Sequence, residues 1–177
     1  MGRYVAFLRG INVSGQKLIK MEALRKAFTE TGFAEVKTYI QSGNVIFDSD
    51  VTDTKNLILR LEELIEKSFG FRTDVILRRH SGIESILNSL QISREKHSEE
   101  MKYYITFLKE AYSEPFTIPL FSKNKDVEVI YHNQMEFVSI STLYKGQYGF
   151  PNAYIEKLTG IRATTRNPLT LGKILEL

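Results

Sequence analysis

Arg9-Gly10-Ile11-Asn12-Val13-Ser14-Gly15, with Lys17 and Lys20 close behind, is the first stretch of the chain able to do chemistry. Gly10 and Gly15 permit backbone angles that other residues avoid, and the stretch leads from an apolar run into a helical pattern. Backbone N–H groups at the start of a helix attract anions, and basic side chains add to that field. The chemistry would be the capture of a phosphate or carboxylate by Arg9, Gly10, Asn12 and Lys17, with the Ser42 hydroxyl added from a nearby turn. The spacing matches neither the Walker pattern nor the dinucleotide fingerprint. The plainer reading is that Gly10 and Asn12 only make the turn.

Thr164-Thr165-Arg166-Asn167 is the second such stretch. Hydroxyls and a guanidinium ahead of a helix also suit an oxyanion, so Thr165, Arg166 and Asn167 join the candidate anion-binding set. The competing reading makes Asn167 the helix N-cap with Pro168 behind it, and pairs Arg166 with a carboxylate. Were the two stretches to meet, Arg9, Lys17 and Arg166 would converge on one anion.

Enzyme chemistry finds little purchase. His80, His97 and His132 stand far apart, none at the spacing of a metal pair, and Ser42 has no evident base or oxyanion hole. Without cysteine there is no thiolate nucleophile, no disulfide and no Cys-based zinc site, which fits a reducing cytoplasm. No signal-peptide pattern opens the chain, and no apolar run nears the ~20 residues that span a bilayer. A net charge of +3 from 24 basic and 21 acidic residues is well short of a dedicated polyanion binder.

The elements that must position these residues begin with Tyr4–Leu8, apolar on both faces and suited to a central strand covered on both sides. Met21, Leu24, Ala27 and Phe28 recur at helical spacing, and Gly32-Phe33 suits a Schellman cap. Thr38 to Phe47 reads as a hairpin with a two-residue turn at Gly43-Asn44 or Ser42-Gly43. Its core face would carry Val36, Thr38, Ile40, Val45 and Phe47, and its other face Lys37, Tyr39, Gln41, Ile46 and Asp48. A helix from Asp53 to Gly70 and a strand at Asp74–Leu77 complete a βαββαβ order, the ferredoxin-like arrangement.

After a short helix and the polar stretch Gln91–Glu100, the pattern restarts. Strands are expected at Tyr103–Leu108, Val127–Tyr131, Glu136–Ile140 and Ile161–Arg166, with helices opened by Pro151 and Pro168. Pro115 to Phe121 can hold at most a short helix. The fold class is α+β: two ferredoxin-like βαββαβ units in tandem, alike in pattern only, with a C-terminal helix. Residues 1–80 form the first unit, 81–100 a short helix and polar linker, and 101–177 the second unit with that helix.

Arg9-Gly10-Ile11-Asn12-Val13, Met21 with Leu24-Arg25, Thr38-Tyr39-Ile40-Gln41-Ser42-Gly43-Asn44-Val45 with Phe47, Lys157-Leu158, and Thr165-Arg166-Asn167 together resemble domain-of-unknown-function family 1697. The resemblance covers most of the chain and is strongest before residue 50. It implies a bacterial, two-part α+β protein and brings no established activity. Pro168 stands where that family's Thr-Arg-Asn is usually followed by tryptophan, so no role resting on an aromatic carries over.

The leading functional expectation is a cytoplasmic, non-enzymatic protein that binds a small phosphate-bearing or carboxylate ligand. It would use no metal or cofactor, avoid membranes, and be a monomer or small homo-oligomer. The alternatives are a protein-interaction module, an enzyme whose serine or carboxylate the sequence hides, and weak nucleic-acid binding. The last requires aromatics on an open sheet face, where Tyr39, and less clearly Tyr4, could serve but Phe47 could not.

Overall fold

The computed structural model describes residues 1–13, 15–89 and 101–177. These fall into two compact units, Met1–Ile86 with Lys173–Leu177, and Leu87–Gly172. The expected polar stretch Gln91–Glu100 lies outside the described residues, and His97 with it.

The first unit runs β1 (Gly2–Leu8), α1 (Met21–Glu30), β2 (Ala34–Tyr39), β3 (Asn44–Ser49), α2 (Thr54–Phe69) and β4 (Val75–Arg79), and α3 (His80–Ser89) follows. Its sheet has the order β2-β3-β1-β4, with every pair antiparallel. Alternation along β1 puts Tyr4, Ala6 and Leu8 on one face, where they join Val45, Phe47, Val75 and Leu77. Leu24 and Phe28 of α1 and Leu57, Leu61 and Ile65 of α2 close over them. Val5, Phe7, Ile46 and Ile76 point the other way and are buried too. That is why β1 reads as a continuous apolar run rather than an alternating one.

Local chemistry sets the helix ends. The Gly32 N–H donates to Thr29 O at 3.0 Å and the Phe33 N–H to Phe28 O at 3.3 Å, the paired bonds of a Schellman cap. The Phe28 and Phe33 rings meet at 5.7 Å. Asp53 caps α2 by accepting from the N–H groups of Lys55 and Asn56.

The hairpin departs from expectation in its loop. Tyr39 pairs with Asn44, so the connection is residues 40–43 rather than two residues. An even loop keeps the parity, and Thr38 still faces Val45 while Lys37 faces Ile46. Ile40 leaves the core altogether: it is half exposed at φ 47°. The buried Asn44 is the cause, because its side-chain amide donates to Tyr39 O and Ser42 Oγ, both at 2.9 Å, and turns the chain early.

The second unit contains β5 (Met101–Leu108), β6 (Leu120–Phe121), β7 (Val127–His132), β8 (Glu136–Tyr144), β9 (Gln147–Tyr148), α4 (Pro151–Thr159) and β10 (Ala163–Arg166). Helix α5 (Pro168–Leu175) ends the described chain. The sheet order is β10-β5-β8-β7-β6, and β9 pairs with β8. Among the described residues no helix stands between β5 and β7; the short strand β6 occupies that connection. Pro115 and Pro119 remove two N–H donors from the segment, which disfavours helix. The expected second βαββαβ order is thus met only from β7 onward. Ile155 of α4 packs on Leu108, Val129, Phe137 and Ala163.

Candidate functional site

The segment after β1 is pinned where it leaves the strand. The Leu8 N–H donates to Gly43 O at 2.8 Å and the Arg9 N–H to Asp74 O at 2.9 Å, while the Thr73 hydroxyl donates to Arg9 O. Beyond them the chain turns through four positive φ values, 68° at Gly10, 54° at Asn12, 75° at Gly15 and 49° at Lys17. Asn12 tolerates that conformation because its short amide bonds locally. Its Oδ1 accepts from the Ile19 N–H at 2.8 Å, and its Nδ2 donates to Ile19 O at 3.0 Å and Gln41 O at 2.8 Å. The Lys17 ammonium donates to Arg72 O at 2.8 Å and sits 5.7 Å from the centre of the Phe71 ring.

These bonds bring Arg9, Gly10, Asn12 and Lys17 together with Ser42, as two loops of one rim. They also show what most of the set does there. Asn12 and Lys17 direct their polar groups at backbone carbonyls, and the Ser42 hydroxyl accepts from Asn44. Gly43 is forced at the junction, since a Cβ on it would lie 2.8 Å from Ile11 Cδ1 and 2.9 Å from Leu8 Cβ.

In the second unit, Asn167 caps α5, accepting from the Thr170 N–H at 2.7 Å. Thr165 faces α4: its hydroxyl lies 2.8 Å from that of Thr106 and donates to Asn152 Oδ1 at 3.1 Å. Arg166 points from the other face of β10 and donates to Thr164 Oγ1 at 2.7 Å and Thr165 O at 2.9 Å. Burial lowers its pKa to about 10, because the desolvated guanidinium is less willing to carry charge. Arg9 and Lys17 belong to the first unit and Arg166 to the second.

Thr73 and Arg72, which anchor the loop, carry no motif and were invisible in the sequence, and Gln41, inside a quoted motif, serves through its backbone carbonyl. So were Ser139 and Ser141 of β8, whose buried hydroxyls have no hydrogen-bond partner among the described residues. Tyr4 is buried, its hydroxyl donating to Val51 O at 3.1 Å, and Phe47 stacks 5.9 Å from it. Neither is displayed for a base, and Tyr39 is half-buried. His132 stacks on Phe137 at 5.5 Å. Among the described residues no group of three or more His, Asp or Glu side chains is placed to hold a metal, and no helix is long and apolar enough to cross a membrane.

Helices and two antiparallel sheets define a mixed α+β protein. The same fold is seen in the solved structure of the conserved bacterial protein SP0830 from Streptococcus pneumoniae. The two share 23% identity at a TM-score of 0.69, over 99% of this chain and 97% of that one. The family described as "Protein of unknown function (DUF1697)" matches residues 1–137, and the chain belongs to it. No curated protein matches.

Proposed function

We propose that the protein binds a small phosphate-bearing or carboxylate ligand and does no chemistry on it. The observation that carries this reading is the placement of the half-buried Arg166 guanidinium beside the Thr164 hydroxyl, to which it donates at 2.7 Å, just ahead of the start of α5. A guanidinium presents a planar fork of N–H donors that matches the oxygens of a carboxylate or phosphate. Thr165 and Asn167 support it within the same unit, Asn167 by fixing the helix start; in the first unit Arg9, Gly10, Asn12, Lys17 and Ser42 are a separate candidate for the same ligand chemistry, where Asn12 and Lys17 hold the shape of the loop.

The absence of cysteine from the sequence supports a reducing cytoplasm. The parallel between the strand orders β2-β3-β1-β4 and β7-β8-β5-β10 supports treating the halves as two versions of one ferredoxin-like plan. We take the working form to be a monomer or small homo-oligomer without metal or cofactor.

Isothermal titration with inorganic phosphate, a nucleotide panel and di- and tricarboxylates tests the proposal. A charge-assisted hydrogen bond contributes about 1.5–3 kcal/mol, so Arg166→Met should weaken the best ligand roughly tenfold to a hundredfold. Arg166→Lys, which keeps charge but not the fork, should recover only part of it. No heat with any anion, or equal binding by wild type and Arg166→Met, rejects the reading.

A further inference from the structure

Three aliphatic side chains stand in water on the paired loops of the first unit. Val13 is 58% exposed, Leu18 70% and Ile40 50%. Each is next in sequence to a member of the bonds that tie the two loops together: Val13 to Asn12, Leu18 to Ile19 and Ile40 to Gln41. None is there by slack in the chain. Val13 sits in a small bridge with Gln16, Lys17 is tied to Arg72 O, and Gly43 is locked against Ile11 and Leu8.

Ile40 is the sharpest feature. At φ 47° it occupies the left-handed region, where a β-branched side chain is a genuine outlier. Half of its surface remains in water, so its burial does little to offset the strain. Strained backbone held by the surrounding structure, with an apolar side chain presented outward, is the signature of a preorganised contact surface.

Charge decides what the surface meets. Residues 9–20 and 36–47 contain Arg9, Lys17, Lys20 and Lys37 and no Asp or Glu. The charges that these two loops themselves carry are all positive, and the neighbouring Glu66 is paired with Arg72, so the surface favours an acidic partner with apolar side chains of its own. The exposed residues are aliphatic, so they provide no stacking platform for bases. Together they carry fewer side-chain carbons than one myristoyl chain, which alone gives only marginal binding to a bilayer. We infer that the paired loops dock an acidic segment of a partner protein, one that places apolar side chains on Val13, Leu18 and Ile40 and carboxylates beside Lys17 and Lys20.

The test selects a random-peptide phage library on the intact protein and measures the recovered peptides by fluorescence anisotropy. Vesicles of phosphatidylglycerol and a labelled single-stranded oligonucleotide are run alongside. The expected winners are acidic peptides carrying Leu, Ile or Phe, weakened at least tenfold by Leu18→Ser and by Ile40→Asn. Asn is at ease at positive φ, so Ile40→Asn should melt no lower than wild type, which separates lost contact from lost fold. Recovery of no acidic peptide, indifference to both substitutions, or binding confined to the vesicles or the oligonucleotide overturns the inference. Arg166→Met should leave peptide binding unchanged and Ile40→Asn should leave anion titrations unchanged, so this surface and the anion proposal fail separately.

Discussion

Asn12 Nδ2 donates to the backbone carbonyl of Gln41 at 2.8 Å, joining two loops 29 residues apart in sequence. One side chain thereby fixes the exit of β1 and the tip of the β2–β3 hairpin. Asn12→Ala removes three hydrogen bonds and leaves alanine at a φ that favours asparagine. At about 0.5–1.5 kcal/mol per bond plus the backbone penalty, the loss should be about 2–4 kcal/mol in urea melts. A loss under about 1 kcal/mol would show that water replaces these bonds without cost.

Gly43 and Gly10 share a left-handed backbone, at φ 77° and 68°, but not the same surroundings. Gly10→Ala meets nothing within 4 Å, so it should cost only the conformational penalty, about 1–2 kcal/mol. Gly43→Ala adds a collision with Ile11 and Leu8 and should cost about 2–5 kcal/mol. Equal melting points for the two variants would contradict the packing at the loop junction.

Phe47 and Tyr39 lie on opposite faces of the hairpin. Phe47 is fully buried against Tyr4, Phe28 and Phe33, with ring centres 4.8–5.9 Å away. Phe47→Ala should cost about 3–5 kcal/mol through lost transfer energy and the cavity left behind. Tyr39→Ala, at a side chain only half-buried at the end of the edge strand β2, should cost clearly less. Chemical denaturation of both variants decides it, and similar losses would overturn the face assignment.

Arg166 gives a pH dependence whose sign can be worked out. Its folded-state pKa, about 10, lies below that of the unfolded chain, so between those values the unfolded chain holds the extra proton. Stability rises with pH wherever that is so. The charge therefore burdens the fold throughout the range below about pH 10 and burdens it less above. Arg166→Met should compare best with wild type near pH 7 and lose ground by about pH 11. Urea midpoints for both proteins at the two pH values check this; a comparison that improves with pH would mean the buried charge is stabilising.

The sequence by itself determined the elements whose signals are local. Gly32-Phe33, Asp53, Gly70, Pro151 and Asn167 mark helix ends because their capping partners lie within a few residues, and the structure uses each in that role. The period-two pattern of the hairpin likewise sorted Phe47 from Tyr39, since any even loop preserves it. What the sequence left to the tertiary structure depends on partners far along the chain. Ile40 looked like a core residue until Asn44 closed the loop early, and the carbonyls that Asn12 and Lys17 bond belong to Gln41 and Arg72, 29 and 55 residues away. The pKa of Arg166 was equally unreadable, because desolvation is a property of everything packed around a group and not of its neighbours in sequence.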